Sequence, residues 1–400
     1  MKMNIVEVIN RDDNNEFIEF PKRLYKDDPC WICPLDSTIE SVFDPLKNHA
    51  FRNGEAKRWI LKDENGITAG RIAAFIDRIR SEAQNQPTGG MGFFEVTENR
   101  EAAFELFDTA REWLASKGME AVDGPVNFGE NDNNWGLLVE GFVQQAYGMP
   151  YNKKYYREFF EAYGFKNYFE QYSHSRVVRD NRNHIVEFPE RIMKIAERIA
   201  GRPDYSFRHF EFRNSSRFIN DICDIYNSTW VLLKEDFTPL DPAILEESLR
   251  SARMIIDEEL IWFAYNKNKP VGFFILYPDF NQILRHFNGN LNILNIIKLI
   301  YYKLTHEITR ARAVVGGIHP SYQNSGIESA MFYQFYQVLK RKKWLKNIEF
   351  AWVGDFNTRM ISLYNALGTQ RTKTHVTYRY LINDKIEFVR YKDEIAIKQR

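Results

Sequence analysis

AVVGGIHPSYQNSGIE (313–328) is the stretch that decides the fold of this 400-residue chain. A strand-like run ends at Ile318, a polar turn follows, and a helical period then begins. Ile327, Ala330, Met331, Phe335, Val338 and Leu339 share one face of that helix. A strand, a turn and a helix N-terminus in this order predict an anion site, because backbone N–H groups converge there with the positive end of the helix dipole. Gly326 removes a Cβ from the path of an approaching phosphate. The Gly316-Gly317 pair predicts a bulge that prises the strand from its neighbour and opens a slot.

Working outward, IEFAWVG (348–354) follows as a strand and NTRMISLYNALG (357–368) as a short helix closed by glycine. The same order stands earlier in the chain. GGMGFFEV (89–96) leads into a helix with Ala103, Leu106, Phe107, Ala110 and Leu114 on one face and Gly118 as its C-terminal stop. MEAVDG (119–124) and the aromatic helix NKKYYREFFEAYGF (152–165) come next. Upstream, the hairpin AKRWILKDENGITAGRIAAFID (56–77) has its counterpart in ELIWFAYNKNKPVGFFILYPD (259–279). One α/β unit is therefore written twice. The reading places the first copy at 1–178, a linker strand and helix at 179–204, and the second copy at 205–400. Insertions at 124–150 and 281–310 break the symmetry.

Strand, Gln-x-x-Gly, helix, strand, then Asn-x-x-x-x-x-Leu-Tyr-x-x-x-Gly resembles the GNAT superfamily of N-acetyltransferases. The matching residues are Gln323, Gly326, Asn357, Leu363, Tyr364 and Gly368. The phrases RLYKDDP, GPVNF, GLLVEGF and MPYN add a resemblance to bacterial proteins with tandem GNAT-like domains, the first of them degenerate. The resemblance implies two layered α/β domains, each a mixed, mostly antiparallel sheet flanked by helices. It implies that Gly317, Ile318, Gln323, Asn324, Ser325, Gly326, Ile327 and Glu328 hold acetyl-coenzyme A as co-substrate. A backbone N–H near Ile318 would polarise the thioester carbonyl. Asn357 and Tyr364 would line the thiolate end, with Tyr364 protonating the departing thiolate. One departure stands out: Glu328 occupies a position where the family usually has Gly or Ala, and a carboxylate there repels a pyrophosphate.

The first copy lacks this equipment. VTENRE (96–101) has no glycine and two acids, and Phe160 stands where the second copy has Tyr364. The expectation is an acetyl transfer by the second copy to a small-molecule or peptide amine, with the first copy shaping a cleft or stiffening its partner. A non-catalytic binding protein, favoured by Glu328, and a tandem-GNAT aminoacyl transferase are the alternatives.

Composition bounds the rest. Lys plus Arg and Asp plus Glu balance at 54 each, which removes the broad basic footprint of a nucleic-acid binder and argues against the aminoacyl transferase. Three cysteines make no disulfide framework, and Cys30-Trp-Ile-Cys33 lacks the partners for a metal site, so no metal is expected. MKMNIVEVINRDDNNEF has no signal-peptide core, which predicts a cytoplasmic protein. The apolar stretch at 291–304 is too short to span a bilayer. It carries too many apolar residues for one exposed helix face, so it is expected to bury against the other domain or cover the acceptor cleft, and no membrane partner is expected. The general base is left open among Glu235, Asp236, Asp279 and Glu349. The Asn-rich run 127–136 is a candidate acceptor contact.

Overall fold

The computed structural model describes residues 3–84, 86–129, 135–231, 239–253, 255–305 and 308–398. The first copy runs β1 (Asn4–Glu7), α1 (Arg11–Leu24), α2 (Asp36–Val42), β2 (Gly54–Lys62), β3 (Thr68–Asp77), α3 (Arg78–Glu82), β4 (Thr88–Val96), α4 (Arg100–Ser116), β5 (Ala121–Gly124), β6 (Leu137–Glu140), α5 (Tyr156–Tyr163) and β7 (Lys166–Val177). The linker forms α6 (Glu190–Ala200). The second copy runs β8 (Tyr205–His209), α7 (Ser215–Trp230), α8 (Pro242–Ser251), β9 (Ile261–Asn266), β10 (Lys269–Pro278), α9 (Asn281–Leu284), α10 (Ile293–Leu304), β11 (Arg310–Ile318), α11 (Ile327–Arg341), β12 (Asn347–Gly354), α12 (Thr358–Ala366), β13 (Gln370–Leu381) and α13 (Tyr391–Lys398).

Alternation along the strands explains the layers. Phe273 and Ile275 of β10 face the helices α7 and α8, while Phe274 and Leu276 face α11. In β3, Ile72, Ala74 and Ile76 face α4, and Ala73 and Phe75 face α1. The helical faces expected for α4 and α11 are the buried ones.

The strands form one sheet in the order β1-β2-β3-β4-β5-β13-β7-β12-β11-β10-β9-β8, with β6 added on β13. All neighbours are antiparallel except β4 with β5 and β11 with β12. The copies exchange their last strands: β13 closes the first copy against β5, and β7 closes the second against β12. Buried ion pairs lock the exchange. Arg379 of β13 grips Asp123 of β5 through Nε at 2.6 Å and Nη2 at 2.7 Å. Lys373 of β13 reaches across Ser173 of β7 to Glu349 of β12 at 2.6 Å. Removing either member of such a pair strands a buried charge, at a cost of about 3–5 kcal/mol.

Two expectations need correction. The bulge in β11 is at Val314, between Ala313 and Val315, while Gly316 and Gly317 pair regularly with Phe274 and Phe273. A bulge of this kind needs one extra residue, and glycine is optional. Helix α10 does not bury its apolar surface: Ile293, Leu294, Ile297 and Leu304 are between 60% and 78% exposed. The only residue of this helix in the buried core is Leu299.

Candidate active site

In the second copy, β11 and β12 touch only from Arg310↔Asn347 to Arg312↔Glu349. Beyond that they part, and the slot between them ends at the turn preceding α11. Asn324 (φ +63°) and Gly326 (φ +81°) take left-handed backbone conformations in this turn. Gly326 is doubly required, because a Cβ there would lie 2.3 Å from Cδ1 of Ile199 on α6. The first intrahelical bond is Ala330 N–H to Gly326 O at 3.1 Å. The N–H groups of Ile327, Glu328 and Ser329 therefore lack intrahelical acceptors, as helix geometry dictates.

Glu328 is not a bare charge. Arg359, two residues into α12, donates through Nη2 to Glu328 at 3.2 Å and through Nη1 to Gln323 Oε1 at 2.6 Å. Gln323 in turn donates to Ile318 O at 3.3 Å. The guanidinium thus offsets the carboxylate, which removes the repulsion expected at this position. No single sequence signal marked Arg359, since its role appears only when α12 lies beside the turn.

The other expected residues lie deeper. Asn357 caps α12, its Oδ1 accepting from Met360 N–H at 3.1 Å. Tyr364 is 7% exposed and packs between His174 of the exchanged strand β7 and Phe350 of β12. Burial pushes its hydroxyl above the usual phenol range, so it stays protonated. Asp279 and Glu349 are committed to ion pairs. Asp279, fully buried, binds Arg310 at 2.6 Å and accepts Tyr147 N–H at 2.8 Å. Glu349 holds Lys373. Glu235 and Asp236 lie outside the described residues, as do residues 130–134 of the Asn-rich run.

The first copy presents the opposite picture. Asn99 caps α4 on Ala102 N–H, and the hydroxyls of Tyr155 and Tyr156 take up the backbone of Val96. No anion turn is left at this strand end, but the slot is. Strands β4 and β5 part beyond Gly90↔Asp123, and a cavity of about 890 Å³ opens there. Its walls carry Ile18 and Pro21 of α1, Phe93 and Phe94 of β4, Val126 and Phe128 after β5, and Leu240 and Ile244 from the second copy. Asn127, 5% exposed, lines it with an Oδ1 that has no partner among the described residues. This cavity was not foreseen from sequence, because the residues that wall it come from many separated segments between Ile18 and Leu284.

One helix borders both regions. Tyr226 of α7 lines the cavity. Thr229, on the next turn of the same helix, donates to Ile225 O at 2.7 Å, and its hydroxyl lies 3.3 Å from Ile318 O, at the end of β11. Residues three apart on a helix are neighbours, about 5–6 Å between Cβ atoms.

Residues 219–369 match the acetyltransferase (GNAT) family model. The chain carries a tandem GNAT fold. A tandem GNAT protein from the clavulanic acid biosynthesis pathway superposes with a TM-score of 0.56 at 11% identity, over 95% of this chain and 99% of that one. A GCN5-related N-acetyltransferase from Sphaerobacter thermophilus gives 0.51 at 12% identity, over 96% and 98%. Two curated proteins match along nearly their whole length. Protein YghO of Escherichia coli is 25% identical over 92% of this chain and 93% of its own. The bacterial ceramide synthase of Caulobacter vibrioides is 25% identical over 94% and 97%. The GNAT match covers the turn at 321–328, Arg359 and Tyr364, and of the cavity it covers the wall formed by Tyr226, Leu240, Ile244 and Leu284 but not the wall from α1, β4 and the segment after β5.

Proposed function

We propose that this protein is an N-acyltransferase that moves an acyl group from a coenzyme A thioester to the amine of a long-chain amphiphile. The observation that carries the reading is the sharing of α7 between the end of β11 and a cavity of about 890 Å³, in which aliphatic and aromatic side chains stand beside polar ones such as Lys22, Arg71, Glu95 and Asn127, as an amphiphile with a polar head requires. Such a volume is at the upper end of small-molecule sites, roughly 300–1,000 Å³, and suits an aliphatic chain better than a short polar amine. The name of the Caulobacter relative supports the same class, since a ceramide is a fatty amide of a long-chain amino alcohol.

In this reading the turn 321–328 and Arg359 take the pyrophosphate of the thioester. The N–H groups at the start of α11 and the guanidinium both favour an anion. Backbone N–H near Ile318 stabilises the carbonyl oxygen as the neutral amine attacks. The new C–N bond forms, the C–S bond breaks, Tyr364 protonates the thiolate, and the proton lost by the ammonium reaches solvent, from which Tyr364 is reprotonated. Asn127 offers its unpartnered carbonyl to the polar head of the acceptor. The Glu328–Arg359 pairing withdraws the support that Glu328 gave to a non-catalytic reading.

Thiol release tests this. Purified protein is given acetyl- and palmitoyl-coenzyme A with sphinganine or with short amines. Release that depends on the long-chain amine is expected. Arg359→Ala should weaken coenzyme A binding by about tenfold, the value of one charge-assisted contact, and Gly326→Val should abolish it. Release with short amines only would leave an acetyltransferase and remove the long-chain acceptor. No coenzyme A binding by calorimetry would overturn the enzyme reading.

A further inference from the structure

Helix α10 is wrongly dressed for its place in the fold. At 100° per residue, Ile296, Ile300, Ile293, Leu304, Ile297, Tyr301 and Leu294 form an unbroken apolar arc of about 160°. All seven are exposed. The inward side is narrow: Leu299 is buried, and Tyr302 stacks on His286 at 4.4 Å between ring centroids. Lys298 and Lys303, both exposed, fall at the two edges of the arc. Residues 281–305 include Arg285, Lys298 and Lys303 and no Asp or Glu.

We infer that α10 lies on the surface of an anionic lipid bilayer, with its arc in the acyl boundary and a lysine at headgroup level on each side. A wide apolar face edged by cations is the pattern of a helix held in the interfacial plane. The charge decides between occupants. A second copy of this chain would bring the same cations against one another, whereas anionic headgroups complement them. No helix among the described residues is long and apolar enough to cross a membrane, so the helix rests on the bilayer. The inward side of α10, opposite the arc, anchors the helix near the cavity: Leu299 shares a buried cluster with Leu284 of α9, and Leu284 lines that cavity. The inference rests on the helix itself and holds whether or not the proposed reaction is right.

Flotation of the full chain with vesicles tests it. Phosphatidylcholine vesicles with about one-third phosphatidylglycerol should carry the protein up the gradient, and pure phosphatidylcholine should bind at least tenfold less. Ile297→Asp/Ile300→Asp should reduce binding to the anionic vesicles by tenfold or more with an unchanged thermal midpoint, since both positions face solvent. Lys298→Glu/Lys303→Glu should remove the preference for the anionic lipid and keep residual apolar binding. Absence of wild-type flotation overturns the inference. So does a dimer in light scattering that dissociates in Ile297→Asp/Ile300→Asp while vesicle binding stays as in wild type.

Discussion

The turn at 321–328 and its counterpart at 96–101 are the same kind of strand-to-helix connection built in opposite ways. In the second copy Gly326 holds a left-handed conformation, and the first N–H groups of α11 have no intrahelical acceptors. In the first copy Asn99 caps the helix, and two tyrosine hydroxyls hold the strand end. The slot follows the reverse rule. Tyr364, Phe350 and His174 pack together beside the second slot, while a cavity of about 890 Å³ opens in the first. On the proposed reading, the anion-binding turn and the large cavity lie in different halves of the chain.

The most severe way to break this comparison is to cut the chain at the linker. Because β7 and β13 are exchanged, segments 1–204 and 205–400 each lack the strand that closes their sheet. Neither should show a cooperative thermal transition alone, and co-expression should restore it. A cooperative melt by 205–400 alone, with coenzyme A binding, would show that the exchange is dispensable.

A second test sets Tyr364 against Phe160. Tyr364→Phe should lower turnover by roughly 10²- to 10⁴-fold, at a cost of about 1 kcal/mol in stability because the position is buried. Phe160→Tyr should yield no activity from the first copy and should destabilise by about 1–3 kcal/mol, since it places a hydroxyl among Phe94, Phe107 and Phe165. A wild-type rate in Tyr364→Phe would move the proton donor elsewhere.

The smallest effect sharpens the boundary between the copies. His375 is 1% exposed on β13, and its pKa is pushed down to about 4 by burial first and then by Lys373. The native state thus binds fewer protons than the unfolded chain between about pH 6.5 and 4. Stability should be flat above that window and fall as pH drops through it, by up to roughly 3 kcal/mol. Glu349 opposes this shift, and Arg312 adds to it. Chemical denaturation of wild type and His375→Gln at pH 7 and pH 4.5 should converge on the acid side. Parallel pH profiles would show that His375 titrates normally.

The repeat, both long helices and the position of Gly326 were legible in the sequence, because local periodicity and a single φ requirement carry them. The strand exchange was not. β7 and β13 are both long strands that serve either sheet, and only long-range pairing selects the partner. Arg359 is an ordinary helical cation until the fold sets it beside Glu328. In α10 the surplus of apolar residues was legible, but burial against protein was inferred where the helix faces outward.

The exchanged strands also impose an order on synthesis. β5 is made early, yet its partner β13 is the last strand of the chain. While the ribosome works through the second copy, the first carries an unpaired sheet edge beside its cavity, the kind of surface that recruits stray strands. A chain truncated before residue 370 leaves that edge bare for good. Completion of the first copy therefore reports that the second has been made in full.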